Sequence, residues 1–294
     1  MRHPLSRNRA TLIGFVAVLL WALLALLTVG TEPVPPFQLN AMTFALGGLV
    51  GLGWIAATGG WSDLRRVGWP VYALGTAGLF GYHALYFAAL RLAPAAEASL
   101  IAYLWPLLIV LLSGLLPGER LRILHVVGAA LAFAGAALIV AGGVASPHPG
   151  ALPGYGLAFL CALTWAFYSV GSRRLGAVPT ASVAVFCLAT AALSVPAHLV
   201  FETTAWPNGG AGWLAVLALG AGPVGLAFYV WDVGMKKGDI QLLGVASYAA
   251  PLLSTLALVA AGRTRASLTI LAAAVVITAG AALAAWASAR SRRL

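Results

Sequence analysis

Tyr82, His83 and Tyr86 are spaced so that Tyr82 and Tyr86, and His83 and Tyr86, share one helix face. Ser99, Tyr103 and Pro106 repeat that arrangement at i, i+4 and i+7, with Trp105 beside them. Ser247, Tyr248 and Pro251 form a third set. Trp21 stands alone, and Thr164, Trp165, Tyr168 and Ser169 form a fourth set. These side chains offer ring faces, hydroxyls and indole N–H groups. They can stack on an aromatic solute, attract an ammonium group and donate hydrogen bonds. Pro106 and Pro251 each lack an N–H and break the helical ladder, which marks a hinge or a binding site. Nothing here pairs a nucleophile with a base.

A search for catalytic chemistry finds little else. The chain has no H-E-x-x-H, no paired carboxylates at helical spacing inside an apolar stretch and no phosphate-cradling glycine loop. Cys161 and Cys187 lie in apolar stretches and read as small hydrophobes, with no disulfide framework. The chain is therefore expected not to be an enzyme and to need no cofactor or metal.

The elements that must hold these residues are helices in lipid. Hydrophobic residues make up 62% of the 294 and charged residues 8%, which rules out a water-soluble domain. Ten apolar spans are predicted, at roughly 11–29, 37–58, 70–90, 95–115, 122–142, 152–172, 179–200, 211–231, 240–261 and 267–288. Each is about 20 residues, enough to cross ~30 Å of hydrocarbon. Trp61, Trp69, Trp206, Trp213 and Trp286 fall at span ends, where aromatic belts form. Trp21, Tyr103, Trp105, Trp165 and Tyr248 fall near mid-span, where a polar tip needs a partner or water. They are expected to line a central cavity. His83 reads as a hydrogen-bonding residue there rather than a proton site. Glu97 is expected at an outer mouth and Asp232 near the inner surface, where solvation costs little.

The two halves repeat each other. Tyr103 and Tyr248, Pro106 and Pro251, and Gly135 and Gly280 are each 145 residues apart, and Trp21-Ala22 recurs at almost the same offset as Trp165-Ala166. The expected domains are residues 1–146 and 147–294, divided near Ser146-Pro147-His148-Pro149. Five spans per half is an odd number, so the second half must lie upside down relative to the first. Inverted repeats of this kind build many secondary transporters, with the substrate held near mid-membrane. The net charge of +10 belongs to this topology and not to nucleic acid. With the N-terminus inside, all of the 17 Lys and Arg except Arg91, Arg263 and Arg265 fall on the inner side. Both termini are thus expected in the cytoplasm. The first span is too long for a cleaved leader, and its Trp21 has a partner in the repeat.

The segment from Pro106 through Gly118-Glu119 to Gly128 and Gly135 resembles the end of an EamA domain, and the two five-helix halves resemble the drug/metabolite transporter superfamily. The second half departs from the pattern, with Arg263-Thr264 where Gly-Glu is usual. Tyr82-His83-Ala84-Leu85-Tyr86-Phe87, Tyr103-Leu104-Trp105-Pro106-Leu107-Leu108 and Thr164-Trp165-Ala166 look like the aromatic amino acid exporters of that superfamily. The resemblance implies a monomeric inner-membrane exporter of amino acids, aromatic ones included. It assigns cavity roles to Trp21, Tyr82, His83, Tyr86, Tyr103, Trp105, Trp165, Ser247 and Tyr248. The alternatives are a drug or metabolite exporter of lipophilic or cationic compounds, and an intramembrane enzyme or lipid-handling protein. With no acidic residue expected at mid-depth, transport is expected to run by alternating access as facilitated diffusion.

Overall fold

The computed structural model describes residues 5–140, 149–260, 262, 265 and 267–291. The expected division at residue 146 lies outside them. Every regular element among the described residues is helical. Eight helical stretches are long and apolar enough to cross a membrane: Arg7–Val29, Pro36–Thr58, Trp69–Leu92, Leu152–Arg174, Ser182–Phe201, Gly209–Lys237, Ile240–Ala257 and Leu268–Arg290. Two shorter apolar helices, Glu97–Ser113 and Ile123–Leu138, supplement them. The protein is a multi-pass membrane protein. Trp61, Trp69, Trp206, Trp213 and Trp286 are all exposed, as belts at the membrane surface require.

Local chemistry sets the helix ends. Ser6 Oγ accepts the N–H of Arg9, and Asp239 Oδ1 accepts that of Leu242, each satisfying one orphan donor at a helix start. Gly59, at φ +75°, closes the Pro36–Thr58 helix in the left-handed region that side chains avoid.

Several spans are interrupted. Ala95–Ala102 gives way to Trp105–Ser113 through Tyr103-Leu104, and Ile240–Ala246 to Ala249–Ala260 through Ser247-Tyr248. In both, the proline falls in the first turn of the restarted helix, where a missing N–H costs nothing. Two further interruptions are additional to the expected breaks: a turn at Ala22-Leu23, between Arg7–Trp21 and Leu24–Val29, and a π-helical turn at Gly222–Leu226, which holds Pro223.

The helices pair across the repeat. Ile123–Val140 packs on Leu268–Ser291, Pro36–Thr58 on Ser182–Phe201, Trp69–Leu92 on Leu152–Arg174, Arg7–Trp21 on Ala227–Lys237, and Trp105–Ser113 on Ile240–Ala246. In lipid there is no hydrophobic drive between helices, so close backbone approach supplies the contact. A Cβ at Gly128 would lie 2.6 Å from the carbonyl oxygen of Gly280, and one at Gly135 would lie 3.1 Å from that of Ala273. As one helix advances from 128 to 135, its partner retreats from 280 to 273, so the two run antiparallel. The two ends of the described chain meet at one end of the bundle, where Arg7 reaches Glu119 at 3.0 Å and His125 faces Ser288 at 3.3 Å.

Candidate functional site

Four indoles meet where four helices converge. Trp21 comes from the end of Arg7–Trp21, Trp105 from the start of Trp105–Ser113, Trp165 from Leu152–Arg174 and Trp231 from Ala227–Lys237. All six pairs lie within ring contact, with centroids 5.1 to 6.4 Å apart and mostly edge to face. The interruptions in the helices serve this cluster. Trp21 precedes one turn, Trp105 follows another, and the π-helical turn frees the carbonyl of Pro223 to accept Trp21 Nε1 at 3.1 Å. Trp231, 1% exposed, donates from Nε1 to Ser169 Oγ at 3.2 Å. Phe228 packs against Trp21 and Trp165 and stacks on Phe44.

A second layer adjoins the indoles. Tyr82 contacts Trp165 at 5.5 Å and stacks parallel to Tyr86 at 6.3 Å. The Tyr86 hydroxyl bonds Ser99 Oγ at 2.7 Å. Tyr103 lies within electrostatic reach of both tyrosines. His83 sits edge to face with Phe44, and its Nδ1 is 2.7 Å from the carbonyl of Leu79. That contact requires Nδ1–H as donor and leaves Nε2 as an acceptor in the neutral ring.

The polar tips of this layer are open. Among the described residues, the hydroxyls of Tyr82 and Tyr103, the Nε1 groups of Trp105 and Trp165, and His83 Nε2 engage no protein partner. None of them is among the fully enclosed unpaired atoms, so they face open space rather than packed protein. Burial is asymmetric about the cluster. Toward the end that carries Arg7 and Asp239, Trp231, Asp232, Gly234 and Met235 are all buried. On the far side of Trp21, Leu24–Val29 buries no residue.

The structure brings Trp21, Tyr82, His83, Tyr86, Tyr103, Trp105 and Trp165 together and leaves two predicted residues apart. Tyr248 is fully buried in a separate cluster with Val110, Ala129 and Ala132, edge to face with Phe133. Its hydroxyl accepts the N–H of Leu107 at 3.1 Å, satisfying an orphan donor just after the break at Pro106. Ser247 Oγ turns back to the carbonyl of Leu243 at 2.7 Å.

Both acids are less solvated than expected. Asp232 is 2% exposed, paired to Lys236 Nζ at 2.8 Å and bonded to Thr180 Oγ1 at 2.7 Å, one residue past Trp231. It is buried within the bundle and held by an ion pair, not solvated at a surface. Glu97 is buried too and takes the hydroxyl hydrogen of Tyr155. Trp231, Phe228 and Phe44 were missed by reading mid-span aromatics alone. The repeat could have found two of them. The 145-residue offset carries Tyr86 onto Trp231 and His83 onto Phe228. Among the described residues no group of three or more His, Cys, Asp or Glu is placed to hold a metal ion.

The EamA-like transporter family matches this chain twice, over residues 8–141 and 152–286. The chain belongs to that family. The EamA match therefore covers both halves of the bundle and every residue of the aromatic cluster. An Ancylobacter novellus protein named aromatic amino acid exporter YddG is 56% identical over 95% of this chain and 98% of its own. A Salmonella typhimurium protein of the same name is 29% identical over 85% of this chain and 88% of its own. The Escherichia coli protein so named is 27% identical over the same shares. A solved crystal structure superposes with a TM-score of 0.90, at 57% identity, over 95% of this chain and 98% of its own.

Proposed function

We propose that this EamA-family protein exports aromatic amino acids across a bacterial inner membrane, by alternating access to the indole and tyrosine cluster. One observation carries the reading: Tyr82, Tyr103, Trp105, Trp165 and His83 present unengaged polar tips to open space, backed by four mutually packed indoles. Ring faces at that site stack on an aromatic side chain, each such pair being worth ~0.5–1.5 kcal/mol. They also attract the ammonium group, by ~0.5–2 kcal/mol depending on desolvation. The identity of 56% to a protein named an aromatic amino acid exporter supports the substrate class.

In this reading ten helices cross the membrane as two inverted five-helix repeats, residues 1–146 and 147–294, and a single chain suffices. The eight long spans and two shorter apolar helices support the number. The antiparallel contacts Gly128–Gly280 and Gly135–Ala273 support the inversion, because the 145-residue offset exchanges one pair for the other. The meeting of both chain ends at the basic end of the bundle supports cytoplasmic termini. Pro106 and Pro251 act as matched pivots. Export runs down the substrate gradient: Asp232, the carboxylate beside the cluster, already has its counter-charge in Lys236.

The test is tracer flux in proteoliposomes. Tryptophan, phenylalanine and tyrosine should cross faster than alanine and glutamate. Absence of flux for every aromatic amino acid overturns the reading.

A further inference from the structure

The aromatic cluster holds rings well, but it contains no fixed charge for a carboxylate, and its neighbour Asp232 is already paired. A zwitterion leaving water needs a site that meets both of its charges. Such a site lies at the basic end of the bundle, outside the cluster. A polar cavity of about 120 Å³ is lined by Arg7, Glu119, Asp239, Gln241, His125 and Ser288, among others.

The cavity is built rather than incidental. Gly118, at φ +79°, makes the tight turn that sets Glu119 into its wall. His125 is committed to the back of it, its Nδ1 accepting the N–H of Arg122 at 3.1 Å and its Nε2 facing Ser288. Gln241, 2% exposed, completes the wall, with its Nε2 enclosed by protein and turned away from the open space.

The same residues fasten the two halves together. Arg7 bonds Glu119 at 3.0 Å and approaches Asp239 at 3.7 Å. Glu119 also takes Arg173, which in turn donates to the carbonyls of Met235 and Gly238. Thr11 Oγ1 accepts the N–H of Asp239 at 2.8 Å. Arg7, Thr11 and Glu119 belong to the first half, Arg173 and Asp239 to the second. The 145-residue offset takes Arg7, Glu119, Arg173 and Asp239 to Leu152, Thr264, Thr28 and Pro94, none of them charged. These four residues therefore have no charged counterparts in the repeat, and the Arg91–Glu202 pair that also joins the halves, at 4.0 Å, is a separate contact.

Resting on the export reading, we propose that this cavity is the loading vestibule for the zwitterionic head of an α-amino acid. Arg7 takes the α-carboxylate, and Glu119 and Asp239 take the α-ammonium. The Arg7 side chain is 40% exposed, so it is open to a ligand's carboxylate, while Glu119 and Asp239 are buried and keep a counter-charge only because the ligand's ammonium takes the place of Arg7. The incoming carboxylate competes for Arg7 and the incoming ammonium for Asp239, which loosens the one direct ion pair Arg7 makes across the halves. Loading and unlatching are then one event.

The experiment uses full-length protein in proteoliposomes of a single orientation, with tracer phenylalanine added at one face at a time. Arg7→Gln should raise KM at the basic face about tenfold, the loss expected for one charge-assisted hydrogen bond. KM at the opposite face should stay within about twofold, because that face loads the aromatic cluster directly. A passive carrier keeps kcat/KM equal in both directions, so Vmax from the opposite face should fall to match. Inhibition by 3-phenylpropionate at the basic face should weaken with Arg7→Gln and that by 2-phenylethylamine should not. Asp239→Asn should reverse this selectivity. An unshifted KM at the basic face, or equal losses for all three solutes, overturns the vestibule. Should the charge-removing variants fail to fold, Arg7→Lys keeps the charge of the clasp and decides: with the guanidinium fork gone, KM for phenylalanine at the basic face should still rise, and an unchanged KM overturns the proposal. Wild-type protein that moves no aromatic amino acid overturns the export reading and this one with it, an outcome distinct from intact flux with an unshifted KM.

Discussion

Trp105 and Tyr248 show how differently two mid-span aromatics can be used. Trp105 touches three other indoles and leaves its Nε1 free toward open space. Trp105→Ala should lower kcat/KM for tryptophan and phenylalanine by roughly two- to tenfold, the equivalent of one ring contact, and affect small apolar amino acids less. A flux series across substrates checks this, and equal loss for all of them with lower protein yield would mark Trp105 as packing. Tyr248 presents its hydroxyl to the Leu107 N–H in a closed cluster. Tyr248→Phe keeps the ring and strands that N–H, so the folded protein should lose about 1–3 kcal/mol, read as a lower melting temperature in detergent. Substrate KM should not change. Sequence position could not separate these roles, because both residues sit beside a break and at similar depth.

At the scale of elements, the helices were legible and their interruptions only partly so. The predicted spans 37–58 and 152–172 became Pro36–Thr58 and Leu152–Arg174, because apolar length and flanking Pro, Gly and charge mark the ends of a membrane helix. The breaks ahead of Pro106 and Pro251 were signalled by the proline itself. The turn at Ala22-Leu23 follows from no residue type, whereas the π-helical turn at Gly222–Leu226 holds Pro223 between glycines, a signal without a matching proline in the first half, where the offset falls on Gly78. Helix packing makes its own prediction. Gly128→Ala places a Cβ 2.6 Å from the Gly280 carbonyl, a backbone atom that cannot step aside, and should destabilise by about 1–3 kcal/mol. Gly53→Ala, with nothing within 4 Å of its Cβ, should leave stability unchanged or raise it by up to about 1 kcal/mol. Thermal unfolding of the two variants side by side tests the contrast.

For the whole molecule, the expectation concerns energy and sidedness. Flux should proceed with no pH or ion gradient and survive an uncoupler, since Asp232 is matched by Lys236 and the neutral ring of His83 is held by Leu79. Accumulation of substrate against its gradient under an imposed pH difference, lost in Asp232→Asn or His83→Ala, would contradict this. Single cysteines near residues 5 and 291 should react with an impermeant reagent from the cytoplasmic face only. Labelling of either from outside would remove the inverted topology.

The sequence alone determined the membrane class, the ends of several spans and the presence of two related halves, because hydropathy, span length and a constant offset are properties read along one dimension. It also grouped Trp21, Tyr82, His83, Tyr86, Tyr103, Trp105, Trp165, Ser247 and Tyr248 by depth, since depth follows from position in a span. Tertiary structure decided what each residue faces. Packing of Ala227–Lys237 against Arg7–Trp21 turned Trp231 into the cluster, and the contact of Ile240–Ala246 with Trp105–Ser113 turned Tyr248 away from it. It also drew Arg7, Glu119, Arg173 and Asp239, up to 232 residues apart, into one clasp. Rotation about a helix axis changes a residue's neighbours without changing its depth, and only the contacts of all the helices together set that rotation.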